Sequence, residues 1–136
     1  MRSWLLTALW ILVACGDDVA AVPDGGPVEV GIAAGLAVGS EHGCAWFTGG
    51  GVRCWGRNAG GQLGDGTTID RSTPVVVPGI TGIVELAAGS SFSCARSSAG
   101  TVKCWGLNGF GQLGSGSGVA SPVPVAVSGL TGVVEV

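Results

Sequence analysis

Residues 54–67, CWGRNAGGQLGDGT, decide the fold because they return almost unchanged as residues 104–117, CWGLNGFGQLGSGS. The same step of 50 residues separates Cys44 from Cys94 and Val77 from Val127, so the repetition extends beyond the quoted stretch. Repetition at one fixed period is the sequence signature of solenoids, propellers and repeat arrays. The chain therefore contains two copies of one structural unit.

Each unit contains four short strand-like runs. They are clearest in the second copy, at residues 82–89, 91–97, 101–106 and 122–127. Pro122 and Pro124 lack the backbone N–H that a central strand needs, so the last run should be an outer, rim strand, and Pro74 takes the same place in the first copy. Four strands in a unit of about fifty residues are typical of a propeller blade, which predicts an all-β chain with almost no helix.

The N-terminus predicts export. Residues 1–15, MRSWLLTALWILVAC, contain Arg2, then about ten apolar residues, too few to cross about 30 Å of hydrocarbon as a helix. The tetrapeptide LVAC resembles the lipobox of bacterial lipoproteins, which implies that Cys15 is lipidated and becomes the first residue of the mature protein. We favour the outer membrane or the cell surface over the inner membrane, because Gly16 rather than aspartate follows. An ordinary signal peptide with a chance cysteine is the alternative.

Charge excludes a nucleic-acid partner. The chain has six basic and nine acidic residues, and removal of residues 1–14 takes away Arg2 and no acid. Binding a phosphate backbone needs a stripe of basic residues, whereas the arginines and the lysine here are scattered.

The cysteines predict two disulfides. Lipidation of Cys15 leaves four of the five, at Cys44, Cys54, Cys94 and Cys104, in two pairs with equal spacing. Each pair flanks a turn, and residues placed symmetrically about a hairpin turn lie opposite each other at disulfide distance. A zinc site is the alternative, but the paired cysteines are ten residues apart rather than two to four, and disulfides persist in an exported protein.

The repeated sequence matches a known family. The stretches HGCAW...VRCWGRNAGGQLGDGT and FSCAR...VKCWGLNGFGQLGSGS resemble repeats of the regulator of chromosome condensation family. Its units pair a CA strand with a CWG strand, add an N-x-x-G-Q-L-G-x-G loop, and normally close a seven-bladed β-propeller. The resemblance covers residues 30–136 and implies a partial β-propeller of two complete four-stranded repeats plus the start of a third.

The repeat sets the domain boundaries. We assign residues 1–14 to a lipoprotein signal peptide, 15–35 to the lipidated cysteine and a tether running into the first repeat, 36–85 to repeat 1, and 86–136 to repeat 2 with the start of the next. Because a radial unit cannot bury its faces alone, we expect a fragment of a longer protein whose missing blades lie in the same chain. A homo-oligomeric ring of several copies is the alternative.

The recurring motif is interpreted as architecture. Its glycines permit positive φ where the loop doubles back, its leucines anchor the loop, its Asn and Gln side chains bond the turn, and its tryptophans fill the gap between blades. The residues are Trp55, Gly56, Asn58, Gly61, Gln62, Leu63 and Gly64, with Trp105, Gly106, Asn108, Gly111, Gln112, Leu113 and Gly114 in the second copy.

No pattern in the sequence predicts catalysis. His42 is the only histidine and Phe92 replaces it in the second copy, so a strand histidine packed near the disulfide is favoured over an acid–base role. Neither a phosphate-binding loop nor a calcium loop fits the glycine-rich stretch, and we expect no metal and no cofactor. Asp65, Asp70 and Arg71 form the only charge cluster where the copies differ, and they are the candidate binding loop.

These observations predict a non-enzymatic, lipid-anchored β-propeller of the bacterial envelope. It would contact a protein partner, not identified by the sequence, through its inter-blade loops. The resemblance implies one alternative, guanine-nucleotide exchange on a small GTPase, which is the activity of the family's founding nuclear member. A secreted enzyme inhibitor and an enzyme whose site lies in missing blades are further alternatives.

Overall fold

The computed structural model describes residues 31–136, so the predictions for the signal peptide, Cys15 and most of the tether lie outside the described part. Within that range the chain forms eight strands and no helix. The described residues therefore contain no helix long and apolar enough to cross a membrane. The strands are β1 Ala33–Val38, β2 His42–Phe47, β3 Val52–Gly56, β4 Arg71–Val76, β5 Ile83–Ala88, β6 Phe92–Ser97, β7 Val102–Gly106 and β8 Ser121–Ala126.

The strands form two antiparallel sheets in simple chain order. The first sheet is β1-β2-β3-β4 and the second is β5-β6-β7-β8. The register repeats as closely as the sequence does: Cys44 pairs with Cys54 and Cys94 with Cys104, and both sheets shift register just after the second cysteine. The predicted all-β, partial-propeller architecture is confirmed.

The proline-containing strands lie at the edges, as predicted. β4 and β8 are the outermost strands of their sheets. Pro74 lies in β4, and Pro122 and Pro124 lie in β8. At a sheet edge a missing N–H leaves no ladder hydrogen bond unmade, so these prolines cost little there and discourage further strand pairing.

Both predicted disulfides are present. Cys44 is bonded to Cys54 and Cys94 to Cys104, with Cα–Cα distances of 4.1 and 4.0 Å. Each bond links the two central strands of its sheet. The four thiols that a zinc site would require are therefore bonded in pairs, and the zinc alternative is wrong.

One hydrophobic core extends across both sheets. Leu63, Val77 and Ile80 from the first repeat pack in the same cluster as Leu86 and Trp105 from the second. A smaller cluster around Val102, Cys104 and Leu113 belongs to the second sheet alone. The junction between the two sheets, which we call the seam, is therefore part of one shared hydrophobic core.

One cross-strand pair differs between the two sheets, on β1 and β2 in the first sheet and on β5 and β6 in the second. In the first sheet the Trp46 ring lies over its cross-strand partner Gly35, and a Cβ placed on Gly35 would be 2.0 Å from that ring. In the second sheet the matching pair is Arg96 and Glu85, whose side chains form a 2.8 Å ion pair. A large aromatic residue with glycine has been exchanged for two long charged residues.

We expect these pairs to be interchangeable only as pairs. Gly35→Glu should lower the free energy of unfolding by about 1 to 3 kcal/mol, because the new side chain collides with the Trp46 ring. Adding Trp46→Arg should recover most of that loss by reproducing the ion pair of the second sheet. Denaturant unfolding of the oxidised protein, of Gly35→Glu, of Trp46→Arg and of the double variant measures the coupling directly. A double variant no more stable than Gly35→Glu alone would contradict this interpretation.

Candidate functional site

The recurring stretch forms a long loop after the third strand of each sheet. The first loop comprises residues 57–70 and the second comprises residues 107–120. Gly61, Gly64 and Gly66 have φ values of 81°, 70° and 84° in the first loop, and the matching glycines of the second loop are also positive, as predicted. Only glycine adopts this region without strain, which is why these positions repeat.

A buried asparagine holds each loop together. Asn58 Oδ1 accepts a 3.0 Å hydrogen bond from the Leu63 backbone N–H, and Asn58 Nδ2 donates to the carbonyls of Thr67 and Ile69, both at 3.0 Å. Asn108 repeats the arrangement with Leu113, Ser117 and Val119. One side chain thus joins the start, middle and end of its loop.

The Gln and Leu residues of the motif complete the loop. The Oε1 atom of Gln62 accepts a 2.8 Å bond from the Gly60 N–H, and Gln112 makes the matching bond to the N–H of Phe110. Leu63 and Leu113 are fully buried beneath the turn. These contacts are internal to each loop, which agrees with an architectural interpretation of the motif.

The seam is held by a chain of hydrogen bonds centred on the first loop. The backbone carbonyl of Gln62 accepts from Trp105 Nε1 at 2.9 Å and from the Ser93 hydroxyl at 3.0 Å. Ser93 in turn lies 2.8 Å from His42 Nε2. Trp105 is fully buried and belongs to the core cluster that contains residues of both sheets, as its predicted role between blades requires. Trp55 lies against Gly43 of its own sheet, and its inter-blade role stays a prediction.

His42 is a buried, neutral component of this seam. Because Ser93 donates its only hydroxyl proton to the Gln62 carbonyl, the His42 Nε2 must carry the proton in the His42–Ser93 bond. Nδ1 is buried without a hydrogen-bond partner among the described residues. Burial lowers the pKa of His42, since the charged ring would lose its hydration. The Ser93 hydroxyl also lies 3.8 Å from Cys44 Sγ, close to the disulfide.

The candidate binding residues of the first loop are brought together but are largely occupied. Asp65 accepts from the Asn58 amide and from the N–H and hydroxyl of Thr67, and it pairs with Arg71 at 3.1 Å. Burial on its own would raise the pKa of Asp65, but the hydrogen bonds from Thr67, Asn58 and Arg71 outweigh it, so the pKa lies below its usual value. Asp70 accepts a 2.7 Å bond from the Asn58 N–H. Their use for a partner stays a prediction.

The loops also expose apolar side chains that sequence reasoning missed. Ile69 and Val119 occupy the same position of the two loops and are 60% and 73% exposed. The second half of each loop, residues 64–70 and 114–120, is rich in Gly, Ser, Thr and Asp, and a β-branched apolar residue at the same place in both copies was the signal that could have found them.

Other sites offer little chemistry. In residues 31–136 no three His, Cys, Asp or Glu side chains converge as a metal site would require. A cleft of about 360 Å³ lies between the turn at residues 79–83 and the β6–β7 hairpin, and Lys103 is its only ionisable lining residue. Lys103 Nζ donates a 3.0 Å bond to the Gly79 carbonyl at the cleft wall.

Sequence models place the repeat in a defined group. The model described as Regulator of chromosome condensation (RCC1) repeat matches residues 49–96 and 99–136, and a second model of that description matches residues 83–112. No protein of curated function matches the chain.

Solved structures share the fold. Human WBSCR16 is 26% identical over 74% of this chain and 27% of its own, with a TM-score of 0.67. Prp20p from Saccharomyces cerevisiae, whose structure was described with its binding to Gsp1p and histones, is 20% identical over 79% of this chain and 27% of its own, also at 0.67. The structure of yeast RCC1 (Prp20) bound to Kap60 is 20% identical over 79% of this chain and 26% of its own, with a TM-score of 0.67. The chain spans about a quarter of the length of these structures.

Stability should depend on pH through His42. Its pKa is lowered in the folded state, so below the ordinary value of 6.5 the unfolded chain binds a proton more readily than the folded chain. The free energy of unfolding should therefore decrease as pH falls from about 7 towards about 5, the range in which histidine titrates. Asp65 begins to lose its favourable contribution only below its ordinary value of 3.8, outside that window.

The test compares two seam variants. His42→Phe introduces the residue found at the matching position 92 and should remove most of the pH dependence of the free energy of unfolding between about pH 7 and about pH 5. Ser93→Ala should lower the free energy of unfolding but keep its pH dependence, because His42 is still present. Denaturant midpoints measured across the window for the oxidised proteins give the slopes. If His42→Phe keeps the original slope, His42 is not the titrating group.

Proposed function

Because the chain belongs to the regulator of chromosome condensation repeat family, we propose that it is a non-enzymatic binding module of a bacterial cell envelope. A lipid on Cys15 anchors it, and the loops between its blades contact a protein partner. The two disulfides at one repeated register are the observation that carries this proposal. Such bonds form and persist in oxidising compartments and are rare in the cytosol.

The anchor follows from the N-terminal sequence. LVAC ends at Cys15, and residues 16–30 separate that cysteine from the first described residue. Two or more acyl chains are needed for stable membrane attachment, and lipoprotein maturation supplies them on one cysteine. The outer membrane or cell surface is the favoured location, on the basis of Gly16.

The geometry of the sheet suits contact through the loops. The Ile32 carbonyl, near the point where the tether joins, accepts a 3.0 Å bond from the Thr48 N–H in the β2–β3 turn. The first and second loops follow β3 and β7 at the opposite end of the sheets. A five-residue strand is roughly 16 Å long, so the loops lie well away from the tether junction.

Apolar contact with a protein is the kind of binding that these loops favour. Ile69 and Val119 project from matching loop positions with most of their surface exposed. The yeast neighbour that binds Gsp1p and histones has this fold, but a fold does not fix the partner. Exchange on a cytoplasmic small GTPase is disfavoured because an exported, disulfide-bonded protein does not meet one.

Lipidation is tested by changing one cysteine. Cys15→Ser should leave the signal uncleaved by lipoprotein processing and remove the lipid, because the first lipid group is attached through the cysteine sulfur, which serine lacks. Intact mass of the membrane-fraction protein, with and without reduction and thiol alkylation, reads out the lipid and the four disulfide thiols together. An unchanged mass for Cys15→Ser, or free thiols without reduction, would contradict export as a lipoprotein.

Partner contact is tested by site-specific photocrosslinking in intact cells. A photoreactive residue at Ile69 or Val119 should give a discrete crosslinked protein, because both positions are exposed on the loops. Ala99, exposed in the β6–β7 turn at the other end of the second sheet, is the matched control and should give none. Equal adducts at all three positions, or adducts at Ala99 alone, would overturn the assignment of the loops.

A further inference from the structure

The second loop begins with an asparagine–glycine pair, Asn108–Gly109, where the first loop has Asn58–Ala59. In such a pair the backbone nitrogen of the glycine can reach the side-chain amide carbon of the asparagine, because glycine has no Cβ to shield it. A Cβ placed on Gly109 would meet nothing within 4 Å, and Gly109 is not among the residues with positive φ. The fold therefore does not require glycine at this position.

The closed loop holds the Asn108 amide at both ends. Asn108 is fully buried. Its Oδ1 accepts a 2.9 Å bond from the Leu113 N–H, and its Nδ2 donates to the carbonyls of Ser117 at 2.6 Å and Val119 at 3.0 Å. Attack by the Gly109 nitrogen makes the amide carbon tetrahedral, so the planar amide could not keep all three bonds. The closed loop therefore opposes this reaction.

The first loop has side-chain bonds that the second loop lacks. Asn58 Nδ2 also donates to Asp65 at 3.1 Å, and Asp70 accepts a 2.7 Å bond from the Asn58 N–H. Arg71 pairs with Asp65 at 3.1 Å. The second copy has Ser115, Ala120 and Ser121 at the positions of these three charged residues.

These bonds lie within one loop and the first residue of the strand that follows it. The difference between the loops therefore does not depend on what covers the second sheet. A segment with fewer internal bonds opens at a lower free-energy cost, so the second loop should open more readily than the first. The reactive pair thus lies in the more weakly closed of the two loops.

From these observations we propose that Asn108 is a site of spontaneous deamidation that is protected in the closed loop and reacts when the loop opens. The proposal does not rest on the lipid anchor or on a partner of the loops. The only co-reactant is water.

The reaction has two steps. The Gly109 nitrogen loses its proton and forms a bond to the side-chain carbon of Asn108, the bond from that carbon to Nδ2 breaks, and Nδ2 leaves with the proton as ammonia. Water then opens the resulting five-membered ring at either carbonyl, which gives aspartate or isoaspartate. The net change is amide plus water to carboxylic acid plus ammonia, with no oxidation or reduction.

Deamidation would prevent the loop from closing again. The product carries a carboxylate in place of the amide, and a carboxylate cannot donate to the Ser117 and Val119 carbonyls. Burial of an unpaired negative charge against two carbonyl oxygens is strongly unfavourable. Because Val119 is the exposed apolar residue of this loop, the modification would also displace a residue that we assign to partner contact.

The test compares both asparagines in the folded and the unfolded protein. The exported, disulfide-bonded protein is incubated at neutral to mildly alkaline pH, either in buffer or reduced in denaturant, and is then digested with trypsin. Cleavage after Arg57 and Lys103 puts Asn58 and Asn108 on separate peptides, and mass spectrometry measures conversion of amide to acid on each. In denaturant Asn108 should react several-fold faster than Asn58. Folding should slow Asn108 at least about tenfold, because only the open fraction reacts.

Two reciprocal variants separate the glycine from the loop. Gly109→Ala, which reproduces the first loop and fills open space, should fold like the parent protein and lower the rate at Asn108 in denaturant to that at Asn58. Ala59→Gly, at an exposed position, should raise the rate at Asn58 in denaturant to that at Asn108. In the folded protein Asn58 of Ala59→Gly should still react more slowly than Asn108, because its loop has the additional bonds.

Three results would overturn the proposal. Equal rates at Asn108 in the folded and unfolded protein would show that the loop gives no protection. A rate at Asn108 in denaturant that Gly109→Ala leaves unchanged would show that the glycine does not matter. Folded Ala59→Gly whose Asn58 reacts as fast as Asn108 would show that the second loop is no more open than the first.

Discussion

The backbone carbonyl of Gln62 accepts the side-chain hydrogen bonds that join the first sheet to the second. It accepts from the Trp105 indole and from the Ser93 hydroxyl, both of which belong to the second sheet. Around these bonds the apolar residues of both sheets form a continuous core. A four-stranded sheet has two faces and cannot cover either by itself, so the seam supplies burial that each sheet lacks alone.

The loop that carries this carbonyl is held in its conformation by internal hydrogen bonds. Asn58 bonds backbone groups on both sides of the turn, and glycines with positive φ bring the turn close to the neighbouring ring. A Cβ on Gly64 would lie 2.8 Å from the Trp105 ring, which explains why the motif has glycine there. The repeated sequence therefore forms the contact between adjacent sheets. The residues at the far end of the loop do not take part in these bonds, and they differ between the copies.

Several differences between the two copies fall on residues that contact each other. Trp46 with Gly35 and Arg96 with Glu85 occupy equivalent cross-strand positions, and both members of the pair differ between the two sheets. His42 and Ser93 contact each other across the seam, and both differ from their counterparts, Phe92 and Gly43. Because the His42–Ser93 contact crosses the seam, the two sheets are complementary to each other at this position.

The sequence alone was sufficient for the strands, the rim position of the prolines, the disulfides and the positive φ of the loop glycines, because each follows from local geometry and a fixed period. Tertiary structure decided the rest. Only the packed seam showed that Ser93 and His42 form one hydrogen-bonded chain, since these residues are far apart in sequence and their copies are not polar. Only the folded loop showed that Asp65 is occupied by internal bonds and that Ile69 is exposed, because burial depends on how the neighbouring sheet covers the chain.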